Sequence, residues 1–249
     1  MKSKLNNKNL NENKNKEIKD KNNDKLKDEK IVTYEDIRNN EEIKTYINSA
    51  DKILGVAGFT KHDLGHVGKV AVEAGHILKE LNYDERVVEL AKIAGFIHDI
   101  GNMINRHEHA QTGAVLAFQI LRDLKMCPEE IFIITTAIGN HDEGTGSPVN
   151  EVAAALILAD KVDVRRSRVR NQDLATFDIH DRVNYAVEKS NTVVDKNGKS
   201  IQLHLTIDTK ICSILEYFEI FLTRMMMCKK AADVLNCAFE LIINETKVL

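Results

Sequence analysis

Two apolar segments of this chain end in residues that a hydrophobic core would normally reject. Ala94-Gly95-Phe96-Ile97 runs into His98-Asp99, and Val152 to Ala159, the longest apolar run, is followed by Asp160. Ionisable groups at such positions cost stability unless they are hydrogen-bonded or bound to a metal. The chain must therefore fold so that these ends meet at a shared polar centre. Successive antiparallel helices of a bundle can do this, each delivering one ligand to a common interior point.

Helical periodicity supports that architecture. Thr33 and Asp36 have the spacing of a capping box, ahead of Ile43, Tyr46, Ile47, Ala50, Ile53 and Leu54. Val67, Val70, Ala71, Ala74, Ile77 and Leu78 form a second apolar face that ends at Leu81-Asn82. A third helix starts near Asp84 and ends at His98, and a fourth covers about 108–125. Pro128 sits at a first helical turn with Glu129 and Glu130 near the positive helix end, and Asn150 caps the helix that runs to Asp160. Two prolines in 249 residues and 5 % aromatics favour helices over a β-sandwich.

Past residue 170 the pattern changes. Thr192 to Val194 and Ile201 to Ile207 read as strands flanking an Asn197-Gly198 turn. Residues 210–235 carry a helical apolar face, Asn236 suits a left-handed helix end, and Cys237 to Asn244 alternate like a third strand. The expected fold is mainly α, a helical bundle over 31–190 with a small β-β-α-β module over 191–249. Residues 1–30 hold 10 Lys, 8 Asn and only five large apolar side chains, the composition of a disordered tail.

That tail carries a charge of +4, which leaves −7 for residues 31–249 and argues against dedicated nucleic-acid binding. No apolar run approaches the roughly 18 residues of a membrane span. Cys127, Cys212, Cys228 and Cys237 show no close pairing and read as reduced core residues, as in a cytoplasmic protein.

Seven of the nine histidines lie between His62 and His141. His66, His98-Asp99, His109, His141 and Asp160 follow one another at intervals of 32, 11, 32 and 19 residues. Imidazole and carboxylate together suit Fe, Mn, Ni, Co or Zn. His62, four residues before His66, shares its face if the helix has begun, and could donate a proton to a leaving group. His76, His180 and His204 have no such partners.

This ordered pattern resembles the HD-domain superfamily of metal-dependent phosphohydrolases. The matching residues are His66-Val67, His98-Asp99-Ile100-Gly101, His109 with Gly113-Ala114, His141 after Ala137-Ile138, and Leu158-Ala159-Asp160. Bacterial diadenosine tetraphosphate hydrolases share the extra histidines. The cyclic-dinucleotide phosphodiesterases of the HD-GYP branch have a glycine-rich loop like Gly144 to Pro148, with a tyrosine where this chain has Ser147. Both branches usually carry lysine at the position of Asn102.

The resemblance implies that His66, His98, Asp99 and Asp160 hold one divalent metal and His109 and His141 a second, with Asp99 bridging. One or two ions are expected, with Mg as a further candidate. Asp99 and His62 are the expected catalytic residues. Lys161, Arg165 and Arg166 are the expected substrate contacts, since an arginine fork matches phosphate geometry. The implied reaction is hydrolysis of a phosphate ester or phosphoanhydride in a small phosphorylated substrate, a nucleotide first of all, with a homodimer as the candidate assembly. A di-iron oxygenase using the same ligands and a nucleotide-sensing module without catalysis are the alternatives.

Overall fold

The computed structural model describes residues 29–197 and 199–249, so the tail assigned to 1–30 lies outside the described residues up to position 28. Helices α1 (Tyr34–Arg38), α2 (Glu41–Val56), α3 (Leu64–Glu80), α4 (Glu85–Ile97), α5 (His109–Asp123), α6 (Pro128–Gly139) and α7 (Glu151–Lys161) follow in chain order. A short α8 (Ile179–Ala186) leads into β1 (Val187–Asp195) and β2 (Ser200–Ile207). A long α9 (Ile214–Val234) connects to β3 (Ala238–Ile243) and β4 (Thr246–Lys247). The fold is mainly helical with a small C-terminal sheet, as the periodicity suggests.

Local chemistry sets the helix starts. The Thr33 hydroxyl accepts the Asp36 N–H at 3.2 Å while the Asp36 carboxylate accepts the Thr33 N–H at 2.8 Å, a reciprocal cap on α1. Asn150 accepts the Ala153 N–H at 2.7 Å and starts α7. Pro128 is the first residue of α6, where no N–H is needed. Asn236 ends α9 with φ 56°, in the left-handed region.

Helix α7 is the centre of the molecule. Val152 to Ala159 are buried on every side, and a helix that is apolar all round must be enclosed. Helices α3, α4 and α6 pack against it, and α9 packs against it from the C-terminal segment. One apolar core consequently runs from Val32 to Ile243. Helices α3 and α4 approach closely at Gly95, where a Cβ would stand 2.7 Å from the Ala71 Cα. The contact sets the end of α4, and hence His98, beside α3.

The sheet order is β1-β2-β3-β4, antiparallel except for the parallel pair β2 and β3 joined through α9. Ile201, Leu203, Leu205 and Ile207 alternate inward on β2, as do Phe239, Leu241 and Ile243 on β3. Strand β1 begins at Val187, earlier than the expected Thr192, because Glu188 and Lys189 face solvent and hide the apolar alternation. All four cysteines are free, three of them buried and Cys127 half-buried. No described helix is long and apolar enough to cross a membrane.

Candidate metal centre

The candidate ligands gather where helix ends meet. His66 lies in the first turn of α3, whose cap Asp63 accepts the His66 N–H at 3.0 Å. His98 and Asp99 follow α4, His109 opens α5, His141 follows α6, and Asp160 is the penultimate residue of α7. Gly101 makes this convergence possible, since a Cβ there would meet the His109 carbonyl oxygen at 2.0 Å. Only glycine lets the His98-Asp99 turn press so closely on the start of α5.

Five imidazoles share one orientation. His98 Nδ1 donates to the Gly95 carbonyl at 2.8 Å, His109 Nδ1 to Arg106 at 3.1 Å, and His141 Nδ1 to Ile138 at 2.7 Å. His62 Nδ1 donates to the Thr60 carbonyl at 2.7 Å, and His66 Nδ1 to the Asp163 carboxylate at 2.8 Å. A carbonyl or carboxylate oxygen can only accept, so each Nδ1 carries a proton, and in the neutral ring Nε2 is the nitrogen left to ligate a metal. All five Nε2 atoms stand within 3.9 Å of one carboxylate, that of Asp99.

The two Asp99 oxygens divide these partners. Oδ2 faces His98, His66 and His62 at 3.3, 3.7 and 3.9 Å. Oδ1 faces His109 and His141 at 3.4 and 3.8 Å. Asp160 Oδ1 lies 3.4 Å from His66 Nε2 and 3.6 Å from His98 Nε2. Asn102 Nδ2 donates to Asp99 Oδ1 and to the Asp99 carbonyl, both at 2.9 Å, and so fixes the carboxylate plane.

This donor set fits divalent metal. His66 Nε2 and His98 Nε2 are buried and make no hydrogen bond. His109 Nε2 and His141 Nε2 stand 3.2 Å apart, close enough to share a proton or to ligate one cation together. His66, His98 and Asp160 form one cluster with ligand atoms within 4.8 Å, and His98, Asp99 and His141 form another.

Charge tells the same story. Burial opposes ionisation of Asp99, but the neighbouring His98 and His62 outweigh it and hold the carboxyl well below its usual range. Burial likewise disfavours a charged His98, yet Asp99 and Asp160 push it up to about 10. Burial keeps His109 neutral, down to about 4. The carboxylates thus demand a positive partner, which a proton on His98 supplies only once. On the outer side of His66, Asp163 is fully paired by Lys69 at 2.8 Å and Arg165 at 2.6 Å. It fixes the tautomer and orientation of the ligand ring.

A cavity of about 260 Å³ opens over Asp99, His109, His141 and Asp160. His62, Lys161, Arg106, Arg168, Arg224, Phe59 and Phe221 line it. His62 precedes the α3 cap rather than sharing the helix, yet it reaches the centre. Lys161 is at the cavity but already holds Glu143 and Asp160, each at 2.7 Å. Arg165 and Arg166 are not brought to it. Arg165 is engaged with Asp163, and Arg166 donates to the Tyr185 carbonyl at 2.7 Å and stacks 4.5 Å over that ring. Arg106, Arg168 and Arg224 supply the cationic wall instead. Arg106 and Arg224 escape a reading of sequence because their neighbours carry no phosphate-binding pattern.

Residues 61–165 match the family model described as HD domain. An uncharacterized protein of Methanocaldococcus jannaschii is 24 % identical over 203 residues, covering 72 % of this chain and 77 % of that protein. Ribonuclease Y of Enterococcus faecalis is 31 % identical over 134 residues, which is 51 % of this chain but only 23 % of the ribonuclease. Among solved structures, an HD superfamily hydrolase from an uncultured Thermotogales bacterium aligns with a TM-score of 0.40 at 24 % identity, covering 50 % of this chain and 67 % of the other.

Proposed function

We infer that this chain is a metal-dependent phosphohydrolase, from the match of residues 61–165 to the HD-domain family model and from the five converging imidazole nitrogens. Its substrate is a small molecule with a phosphate ester or phosphoanhydride, a nucleotide in the first instance. The convergence of the five Nε2 lone pairs on Asp99 carries the reading. His66, His98 and Asp160 would hold one divalent ion and His109 and His141 a second, with one Asp99 oxygen toward each group. Bound in this way, a metal pair acidifies water and offsets charge that builds up at phosphorus.

The chain's own groups supply the rest. Arg106 and Arg168 line the cavity beside the ligands and neutralise the non-bridging phosphate oxygens. Phe59, exposed at the cavity, offers apolar surface to the organic part of the substrate. With its Nδ1 proton committed to Thr60, His62 Nε2 first accepts a proton from the attacking water and then passes it to the leaving oxygen.

The test is metal analysis of protein purified without a metal-affinity tag, followed by a screen. Nucleotides, dinucleotides, simple phosphomonoesters and a short RNA are offered, the RNA because of the partial likeness to ribonuclease Y. Turnover that chelation abolishes and metal restores is the expected result. Bound metal with no turnover of any substrate overturns the reading. An iron pair that consumes oxygen overturns it in favour of an oxygenase. Sedimentation of the same preparation tests the homodimer.

A further inference from the structure

The charged groups behind Asp160 form a continuous line that ends in the C-terminal helix. Asp160 turns Oδ1 to His66 and His98, while its Oδ2 lies 2.7 Å from Lys161 Nζ. The same Nζ lies 2.7 Å from Glu143 Oε2. The other Glu143 oxygen accepts from Arg224 Nε, again at 2.7 Å. Arg224 belongs to α9, and its guanidinium lies 4.6 Å over the Phe221 ring one turn earlier. Charges therefore alternate from α9 to the metal-facing carboxylate, with Lys161 buried in the middle of the line and its neighbours partly buried.

We propose that Arg224 is a positioning residue for the metal centre, acting through Glu143 and Lys161 on Asp160. The proposal rests on the metal-centre reading above. A carboxylate with one free oxygen can rotate about its terminal bond, and Lys161 prevents this by anchoring Oδ2. Lys161 is shared between two carboxylates, so its position depends on how strongly Glu143 draws it. Arg224 takes part of the Glu143 charge and leaves Lys161 on Asp160. Without Arg224, Glu143 claims Lys161, and Oδ1 loses its fixed aim at the ion. Outer partners that orient ligands are typically worth about 10- to 100-fold in metal affinity. The C-terminal segment thereby becomes part of the centre that the HD domain holds.

Calorimetric titration of the chelator-stripped full chain tests this, with Zn²⁺ or Mn²⁺, whichever the wild type binds more tightly. R224A is expected to weaken binding about tenfold or more. E143Q, which removes the charge that competes for Lys161, is expected to retain wild-type affinity and, in R224A/E143Q, to restore what R224A loses, while R224Q keeps the test open if R224A folds poorly. R182A is the comparator, because Arg182 joins α8 to α9 through Glu216 at 2.7 Å without touching the centre. It should retain wild-type affinity. H98A should lose binding. Wild-type affinity in folded R224A or R224Q, or no recovery of binding in R224A/E143Q, with H98A defective, overturns this proposal alone. Equal binding by wild type and H98A, or none by wild type, overturns the metal-centre reading and this proposal with it.

Discussion

The two sides of the His66 ring are opposites. At Nδ1 the ring meets Asp163, a carboxylate answered by Lys69 and Arg165 as well as by the imidazole. At Nε2, under four ångströms from Asp99 and Asp160, the ring makes no hydrogen bond. Both sides are buried and both hold aspartate, so burial and residue type do not distinguish them. Pairing does. The Asp163 side is a finished polar network, which adds rigidity, whereas the Asp99 side leaves buried imidazole nitrogens that a cation could fill.

The sharpest way to break this contrast is D99A. Removing the carboxylate that faces all five Nε2 atoms should lower metal content at both positions and cut turnover by at least about 100-fold, in line with the loss of a principal charge-stabilising group. D142A, one residue past His141, should leave metal content nearly intact. Elemental analysis with circular dichroism on both variants separates site loss from unfolding. Full metal content in D99A would place the unfilled side elsewhere.

On the finished side, D163N should act first on stability. It leaves Lys69 and Arg165 without their carboxylate, and because both cations are a third exposed the cost should fall below the roughly 3–5 kcal/mol of a fully buried pair. Urea unfolding measures this. Removing metal acts only on the unfilled side. With the ion at 100 times its dissociation constant, stripping should cost about 2.7 kcal/mol. Thermal melts with and without chelator should show it in the wild type and scarcely in D99A.

The smallest effect is expected far from either side. Ser213 accepts the Glu216 N–H at 3.2 Å and Glu216 accepts the Ser213 N–H at 2.8 Å, which caps α9. S213A should cost about 1 kcal/mol, independent of metal. The Glu216 carboxyl is held below its ordinary value, first by its hydrogen bond from the Ser213 backbone. Its contribution is therefore present above the unfolded pKa and lost as pH falls through the lower folded value. S213A keeps the backbone donor and loses only the hydroxyl's smaller share of this shift, so the gap between wild type and S213A should narrow slightly on acidification, read from melting temperatures across a pH series.

Among the candidate ligands, His98-Asp99 and Asp160 stand out in the sequence because they end apolar helices, whereas the roles of His66, His109 and His141 come from the family resemblance; Thr33, Pro128 and Asn150 mark helix starts by local chemistry. Asp163 does not stand out, although it follows Asp160 by one helical turn, because a lone aspartate before four arginines reads as a solvated turn. Arg224 was hidden beside Met225-Met226-Met227, where the apolar pattern of α9 dominates. Helix α8 was hidden because its Ile179–Ala186 stretch is too short and polar for periodicity to show. Each missed feature depends on a partner distant in sequence: Asp163 on His66, Arg224 on Glu143. Local propensity carries no information about such pairs.

The delivery of ligands by the ends of separate helices also bears on how the chain reaches its native state. His66 and Asp160 lie at opposite limits of the bundle's sequence, and Arg224 joins from farther still. Closing such long loops is entropically demanding and follows local helix formation. Until α4 has docked on α6, or on α3 and α7, no three candidate ligands share a point, and metal has little to hold. Uptake of a spectroscopically visible ion such as Co²⁺ should thus lag behind the far-ultraviolet signal of helix formation during refolding, and its rate would clock the last docking step.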